Sequence, residues 1–182
     1  MTEQEIQENK QRIETLLRST RRKGIENVLE YLEKHDFYHV PSSLHRHHNW
    51  TGGLAQHALG VYDRLKVTAA DLPKESVIIA ALLHDICKTR KHYRDKHGKW
   101  RERPDSVFHY KGHGHRSVKL LENTCGLSLT KEERGAIRWH MGGYNIDKGQ
   151  VRNFFANKSN PLWRLLYNAD RYNASHGKPQ KQ

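Results

Sequence analysis

The chain has 182 residues, enough for one domain that buries a core without staples, and its 32 Lys and Arg against 20 Asp and Glu leave a formal charge of +12. Hydrophobic residues make up 35% and come in clusters, which implies an ordered core inside a very polar shell. No apolar run approaches the ~20 residues that cross a bilayer, the N-terminus is Glu/Gln-rich rather than an apolar signal, and two cysteines without CxxC spacing argue against a disulfide scaffold. A soluble, cytoplasmic protein that attracts polyanions is expected.

Residues from about 3 to 36 read as two helices. Ile6, Ile13, Leu16 and Leu17 form one amphipathic stripe, Gly24 punctuates, and Ile25, Val28, Leu29 and Leu32 form another. Pro41 and Ser42-Ser43 mark a loop carrying His45, His47 and His48. Gly52-Gly53 opens a helix in which Leu54, Ala58, Val61 and Leu65 line one face, and His57 borders that stripe. Pro73 suits the first turn of the next helix. Val77 to Ile86 is nearly all apolar, so this helix is expected to be central, with His84-Asp85 near its C-terminal end.

Residues 89–111 break the helical pattern and read as a basic two-stranded excursion around Gly98. Tyr93 and Trp100 are expected to pack this hairpin on the core, ahead of stacking on bases. Gly112-His-Gly-His-Arg-Ser leads into a helix with Val118, Leu120 and Leu121. Thr130-Lys-Glu-Glu is a capping box for the following helix, which ends at Ile137-Arg-Trp-His140. Asn160-Pro161 starts a last long helix, from which Asp170 projects four residues after Leu166. The expected fold is all-α with a short β-hairpin insertion at 89–111: residues 1–44 as N-terminal helices packing on the core, 45–174 as the main domain, and 175–182 as a loose polar tail.

His84-Asp85 is the most informative pair. A carboxylate next to an imidazole binds one metal or bridges two, and the donors His57, His113, His140 and Asp170 each fall near a predicted helix end beside an apolar stripe. Imidazole and carboxylate donors suit Fe, Mn, Zn, Co or Ni more than a thiolate-selected metal. Such a centre points to hydrolysis of phosphate esters. Taken singly, each of these residues is equally at home as a helix-end histidine or a capping carboxylate; it is the set that carries the reading.

The set resembles the H…HD…D signature of the HD-domain phosphohydrolase superfamily. Gly-Gly-Leu-Ala-Gln-His57 is similar to that family's first-ligand helix, Leu-Leu-His-Asp-Ile-Cys-Lys to its HDIGK motif with Cys87 in place of glycine, and Leu-Tyr-Asn-Ala-Asp170 to its last-ligand helix. Gly-His113-Gly-His-Arg-Ser and Ile-Arg-Trp-His140 resemble the two extra histidines of its dinuclear branch. Met141 follows His140 where the cyclic-dinucleotide branch has a second histidine, and that branch's glycine-tyrosine-proline motif is missing. The layout is closer to small stand-alone HD hydrolases and to the HD domain of a bacterial 3′–5′ exoribonuclease.

The resemblance implies one or two divalent transition metals. One would take His57, His84, Asp85 and Asp170; a second would take His113 and His140 with Asp85 bridging. Attack by metal-bound hydroxide is expected, with Asp85 and Lys88 as catalytic residues; from their positions near the ligands, Lys88, His115, Arg116 and His47 are the candidate substrate contacts. The expected substrate is a phosphorylated small molecule or nucleic acid, cleaved as a phosphodiester ahead of a monoester because the surface is basic. A nucleotidase or nucleoside-triphosphate hydrolase, and a non-catalytic nucleic-acid-binding or regulatory module, are the alternatives. The basic residues Arg90, Lys91, Arg94, Lys99, Arg101 and Arg103 discriminate among them, because a strand needs a basic track leading away from the metals.

Overall fold

A computed structural model describes residues 1–103, 112–143 and 148–177. Among these are eight α-helices and one small hairpin: α1 (Glu3–Ser19), α2 (Ile25–Lys34), α3 (Gly53–Thr68), α4 (Lys74–Leu83), β1 (His92–Arg94), β2 (Trp100–Glu102), α5 (His113–Lys119), α6 (Lys131–Arg138), α7 (Val151–Asn157) and α8 (Pro161–His176). A 3-10 turn, Ile86–Arg90, joins α4 to the hairpin, and a π turn, Leu120–Thr124, continues α5. The all-α expectation with a hairpin insertion holds, and residues 104–111 of that insertion lie outside the described residues.

Local chemistry starts most of these helices where the sequence places them. Thr2 and Glu5 close a capping box on α1, Thr130 and Glu133 close one on α6, and the Asn160 side chain accepts from Trp163 N with Pro161 at the first turn of α8. Gly52 caps α3 at φ +83°, where a side chain would be strained, and the Gly53 Cα lies so close to the His48 carbonyl that a Cβ would collide with it. That contact folds the 45–48 loop back over the start of α3. Pro73 is the residue before α4 rather than inside its first turn. The last helix runs on through His176, past the point at which the tail was expected, as Ser175 Oγ donates to Tyr172 O; residues 178–182 lie outside the described residues.

The core forms around α4. Every residue from Ser76 to Leu83 is buried, and α1, α3, α6 and α8 all pack against it. This explains why its sequence shows no amphipathic stripe: a helix covered on all sides has no polar face to display. The hairpin pairs His92 with Glu102 and Arg94 with Trp100. Asp95 shapes its turn by accepting from the backbone of His97 and Lys99, and Trp100 pins it to the body by donating to Thr51 Oγ1 at 3.0 Å. Trp100 also packs against the core, as expected from the sequence. No helix of the described residues is long and apolar enough to cross a membrane.

One ionised group ties three parts of this core together. Glu133 is fully buried, and its carboxylate accepts from Arg22 at 2.9 and 3.1 Å, from Ser76 Oγ at 2.7 Å and from the Thr130 backbone at 2.9 Å. It therefore links the α1–α2 connection, the start of α4 and the start of α6. Replacing it leaves Arg22 without its counter-charge and Ser76 without its acceptor. Glu133→Ala is expected to lower the unfolding free energy by about 3 kcal/mol in urea titration; a loss of only a few tenths would reduce this network to an ordinary cap.

Candidate metal centre

Six side chains from five helical segments meet at one end of α4. His57 comes from the first turns of α3, His84 is the C-cap of α4, and Asp85 opens the following 3-10 turn. His113 is the first residue of α5, His140 lies two residues past the end of α6, and Asp170 sits inside α8. Their donor atoms converge around Asp85. Oδ2 lies 3.4 Å from His84 Nε2 and 3.9 Å from His57 Nε2. Oδ1 lies 2.9 Å from His113 Nε2 and 3.4 Å from His140 Nε2. Asp170 Oδ1 joins the first group, 3.1 Å from His57 Nε2 and 3.8 Å from His84 Nε2. The carboxylate thus has imidazoles at each of its two oxygens.

The histidine tautomers follow from what the far nitrogens touch. His84 Nδ1 lies 2.9 Å from the Ala81 carbonyl, His140 Nδ1 2.7 Å from the Ile137 carbonyl, and His57 Nδ1 2.8 Å from Asn173 Oδ1. Each acceptor is a carbonyl-type oxygen, so each Nδ1 carries a proton and donates it, which leaves Nε2 as the ring nitrogen turned to the cluster. Those three Nε2 atoms are buried with no hydrogen-bond partner among the described residues. They point at carboxylate oxygens, which raise the proton affinity of His84 against its burial, so each Nε2 faces a place where positive charge, a proton or a metal ion, is favoured.

The residues fit a metal on this test. Donors held about 2.1 Å from one ion stand roughly 3.0–3.5 Å apart, and the pairs around Asp85 and Asp170 span 2.9 to 3.9 Å. His57 with His84 and Asp170, and His84 with Asp85 and His140, each bring their donor atoms within 4.8 Å of one another.

Charge at the centre is balanced by neighbours. Burial would push the Asp85 carboxyl up, but Lys88, His84 and His113 outweigh it and hold it well below the usual carboxylate range. Burial and the His57 contact act in the same opposed way on Asp170, with the net shift downward. The Lys88 ammonium, 2.6 Å from Asp85 Oδ2, is kept protonated against its own burial by that carboxylate. Burial lowers the proton affinity of His113, whose ring lies against Cys87 Sγ at 3.3 Å.

A cavity of about 350 Å³ opens onto the cluster. Asp85, His113, His140 and Asp170 form its polar floor, and Lys88, Arg46, Lys91 and Arg171 stand around it. His47 lines it too, its ring 5.1 Å from that of His57, with its proton affinity pushed down to about 4 by burial and by His57 and Lys88. His115 and Arg116 do not reach this wall. A helix turns about 100° per residue, so His115, two residues after His113, faces the other way toward Arg138 and Lys119, while Arg116 lies on the Cys87 side. Cys87 is buried, as expected for a small residue at the back of the site.

Several contributors were not legible. Asn173 orients His57, and its only signal was its position three residues after Asp170 on the same helix. Gly60 leaves room for it, because a Cβ there would strike the Asn173 amide. Gly114 lets the start of α5 approach the end of α6, since a Cβ would meet the Ile137 and Arg138 carbonyl oxygens. That approach is what brings His113 beside His140. Arg46 and Arg171 reach the cavity from distant segments.

A family model described as HD domain matches residues 54–175. Neither a curated protein nor a solved structure matches the chain.

If Asn173 sets the His57 tautomer, Asn173→Ala should weaken divalent-metal binding about 10–100-fold, read by chelator competition, with the circular dichroism spectrum retained. Unchanged affinity would show that His57 is oriented without it.

Proposed function

The chain belongs to the HD-domain family, and from that premise we propose that it is a metal-dependent phosphohydrolase cleaving a phosphoester of a nucleotide or an oligonucleotide. The observation that carries this reading is the Asp85 carboxylate with His57 and His84 on one oxygen and His113 and His140 on the other. In this reading His57, His84, Asp85 and Asp170 would hold one ion, and His113 and His140, with Asp85, would hold a second. When bound, such ions supply Lewis acidity toward a phosphoryl oxygen and lower the pKa of water.

The chain's own residues do the rest. Lys88, Lys91, Arg46 and Arg171 surround the cavity with positive charge suited to phosphoryl oxygens. Lys88 is fixed in place, with Nζ 2.6 Å from Asp85 Oδ2 and 3.4 Å from Ser42 Oγ, so its charge stands ready to offset charge developing on the phosphoryl group. His47 contributes a polar, largely neutral wall. Residues 45–174 carry the charged groups and the metal-ligand candidates, while Ser42 and Ser43 from the preceding segment also line the cavity. The two free, buried cysteines suit a reducing compartment such as the cytoplasm.

The cavity of about 350 Å³ also favours a second reading within the same chemistry, a nucleotidase or nucleoside-triphosphate hydrolase, because it is the size of one nucleotide rather than of a strand.

Metal analysis of the purified protein followed by a panel of phosphomonoesters and phosphodiesters tests the proposal. A metal-to-protein ratio near two supports the roles of His113 and His140, and a ratio near one removes them. Asp85→Asn is expected to lose bound metal and at least about 10³-fold in turnover together, since the two-sided carboxylate is gone. Wild-type turnover in metal-free protein would sink the mechanism.

A further inference from the structure

A second, larger cavity lies on the other side of the chain segment that follows the metal cluster. Lys88 and Lys91 line the metal-facing cavity, whereas Thr89, Arg90, His92, Tyr93 and Arg94 line the second. The 3-10 turn Ile86–Arg90 and its continuation into β1 therefore stand between the two cavities. The second cavity has a volume of about 1110 Å³ against about 350 Å³ for the first. Lys34, Arg103 and Trp100 complete the side that faces the hairpin.

Arg12, Arg18, Arg22, Arg101 and Arg134 are each paired with a carboxylate. Lys34, Arg90, Arg94 and Arg103, like Lys23, Arg152 and Arg164 elsewhere on the surface, form no ion pair among the described residues; what sets the four apart is that they line one cavity. The aromatic rings hold two of them instead: the Arg94 guanidinium lies 4.9 Å from the centre of the Trp100 ring and that of Arg103 5.6 Å from Tyr93. Their forked donors are left for phosphate oxygens. Two carboxylates share the lining; Glu3 faces His39 at 3.7 Å, and Asp36 leaves the balance of the cavity positive. His92 is 3% exposed, and neither of its ring nitrogens has a hydrogen-bond partner among the described residues, an unsatisfied polar group at the cavity wall.

We infer that this second cavity is a binding groove for single-stranded nucleic acid, which carries the strand away from a phosphate held at the metal-facing cavity. The inference rests on the phosphohydrolase reading above and names its substrate class: a strand, rather than a mononucleotide. A mononucleotide fills the smaller cavity and has no use for unpaired arginines beyond the dividing wall. A strand supplies one phosphate per nucleotide, and successive phosphates meet Lys88 and Lys91 first and then Arg90, Arg94 and Arg103.

The test is binding of a fluorescent single strand of about ten nucleotides, as RNA and as DNA, to full-length protein carrying Asp85→Asn, followed by anisotropy. The strand is expected to bind at least tenfold tighter than a dinucleotide of the same sequence. Arg94→Gln with Arg103→Gln is expected to weaken the strand at least tenfold and to flatten the slope of log K against log salt by about 1.4, two contacts at ~0.7 each. Because these substitutions also remove ring contacts in the hairpin, Lys34→Gln with Arg90→Gln supplies a second pair on other elements, with the same expected loss. Equal affinity for dinucleotide and strand, or variants of both pairs within twofold of their parent, overturns the groove. Hydrolysis of a small aryl phosphodiester by wild type and by Asp85→Asn judges the metal reading separately, so failure of one is not mistaken for failure of the other.

Discussion

A carboxylate buried among imidazoles governs this structure. Asp85 is 4% exposed, and an ionised carboxyl that deep would take up a proton unless charge and donors around it compensated. Lys88, at 2.6 Å, puts a full positive charge in contact with it, and the imidazoles of His84 and His113 add to that field. Holding that arrangement requires segments from α3, α4, α5, α6 and α8 to end or pass at one point. The helical packing serves this convergence: α4 runs buried through the centre and delivers His84 and Asp85 where its last turn opens.

The same local device appears twice at the site. His84 and His140 each follow the end of a helix and donate Nδ1–H to the carbonyl three residues back, Ala81 in one case and Ile137 in the other. The last carbonyls of a helix have no intrahelical donor, so a histidine placed just beyond satisfies one of them and is oriented in return. The C-terminal end of a helix also carries partial negative charge and favours cations nearby. His57 sits within a helix whose backbone is already paired, so it takes its acceptor from a neighbouring helix, at Asn173. Two histidines oriented by their own chain and one oriented across a helix interface reach the same tautomer by different routes.

The net charge of +12 is not spread evenly in its consequences. Buried or packed cations are matched with acids, as Arg22 is with Glu133, and there they hold the fold together. The matched exposed pairs contribute little each. Four cations without acidic partners among the described residues, Lys34, Arg90, Arg94 and Arg103, line the cavity where the hairpin meets α2.

Much of this was legible in the sequence because it rests on short-range rules. Capping boxes at Thr2 and Thr130, Asn160-Pro161, the stripes of α1 to α3 and the apolar run of α4 depend on neighbours a few residues apart, and the helices begin where those signals stand. The six candidate donors were legible too, as residue types in a recurring order. The helix α7 was not anticipated; it has seven residues and buries only Phe154, too short a stripe to give a periodic signal. His115 was expected at the substrate because its sequence lies beside His113, but helical rotation turns it toward Arg138 and Lys119; Arg116 stays near the His113 face, on the Cys87 side, without lining the cavity. Sequence order by itself determined which residue types could bind a metal and where the helices start. Only tertiary structure decided which donors meet, which nitrogen each imidazole turns to the cluster, and which cations stand unpaired, because those depend on contacts between segments up to 116 residues apart, such as His57 with Asn173, that no local pattern encodes.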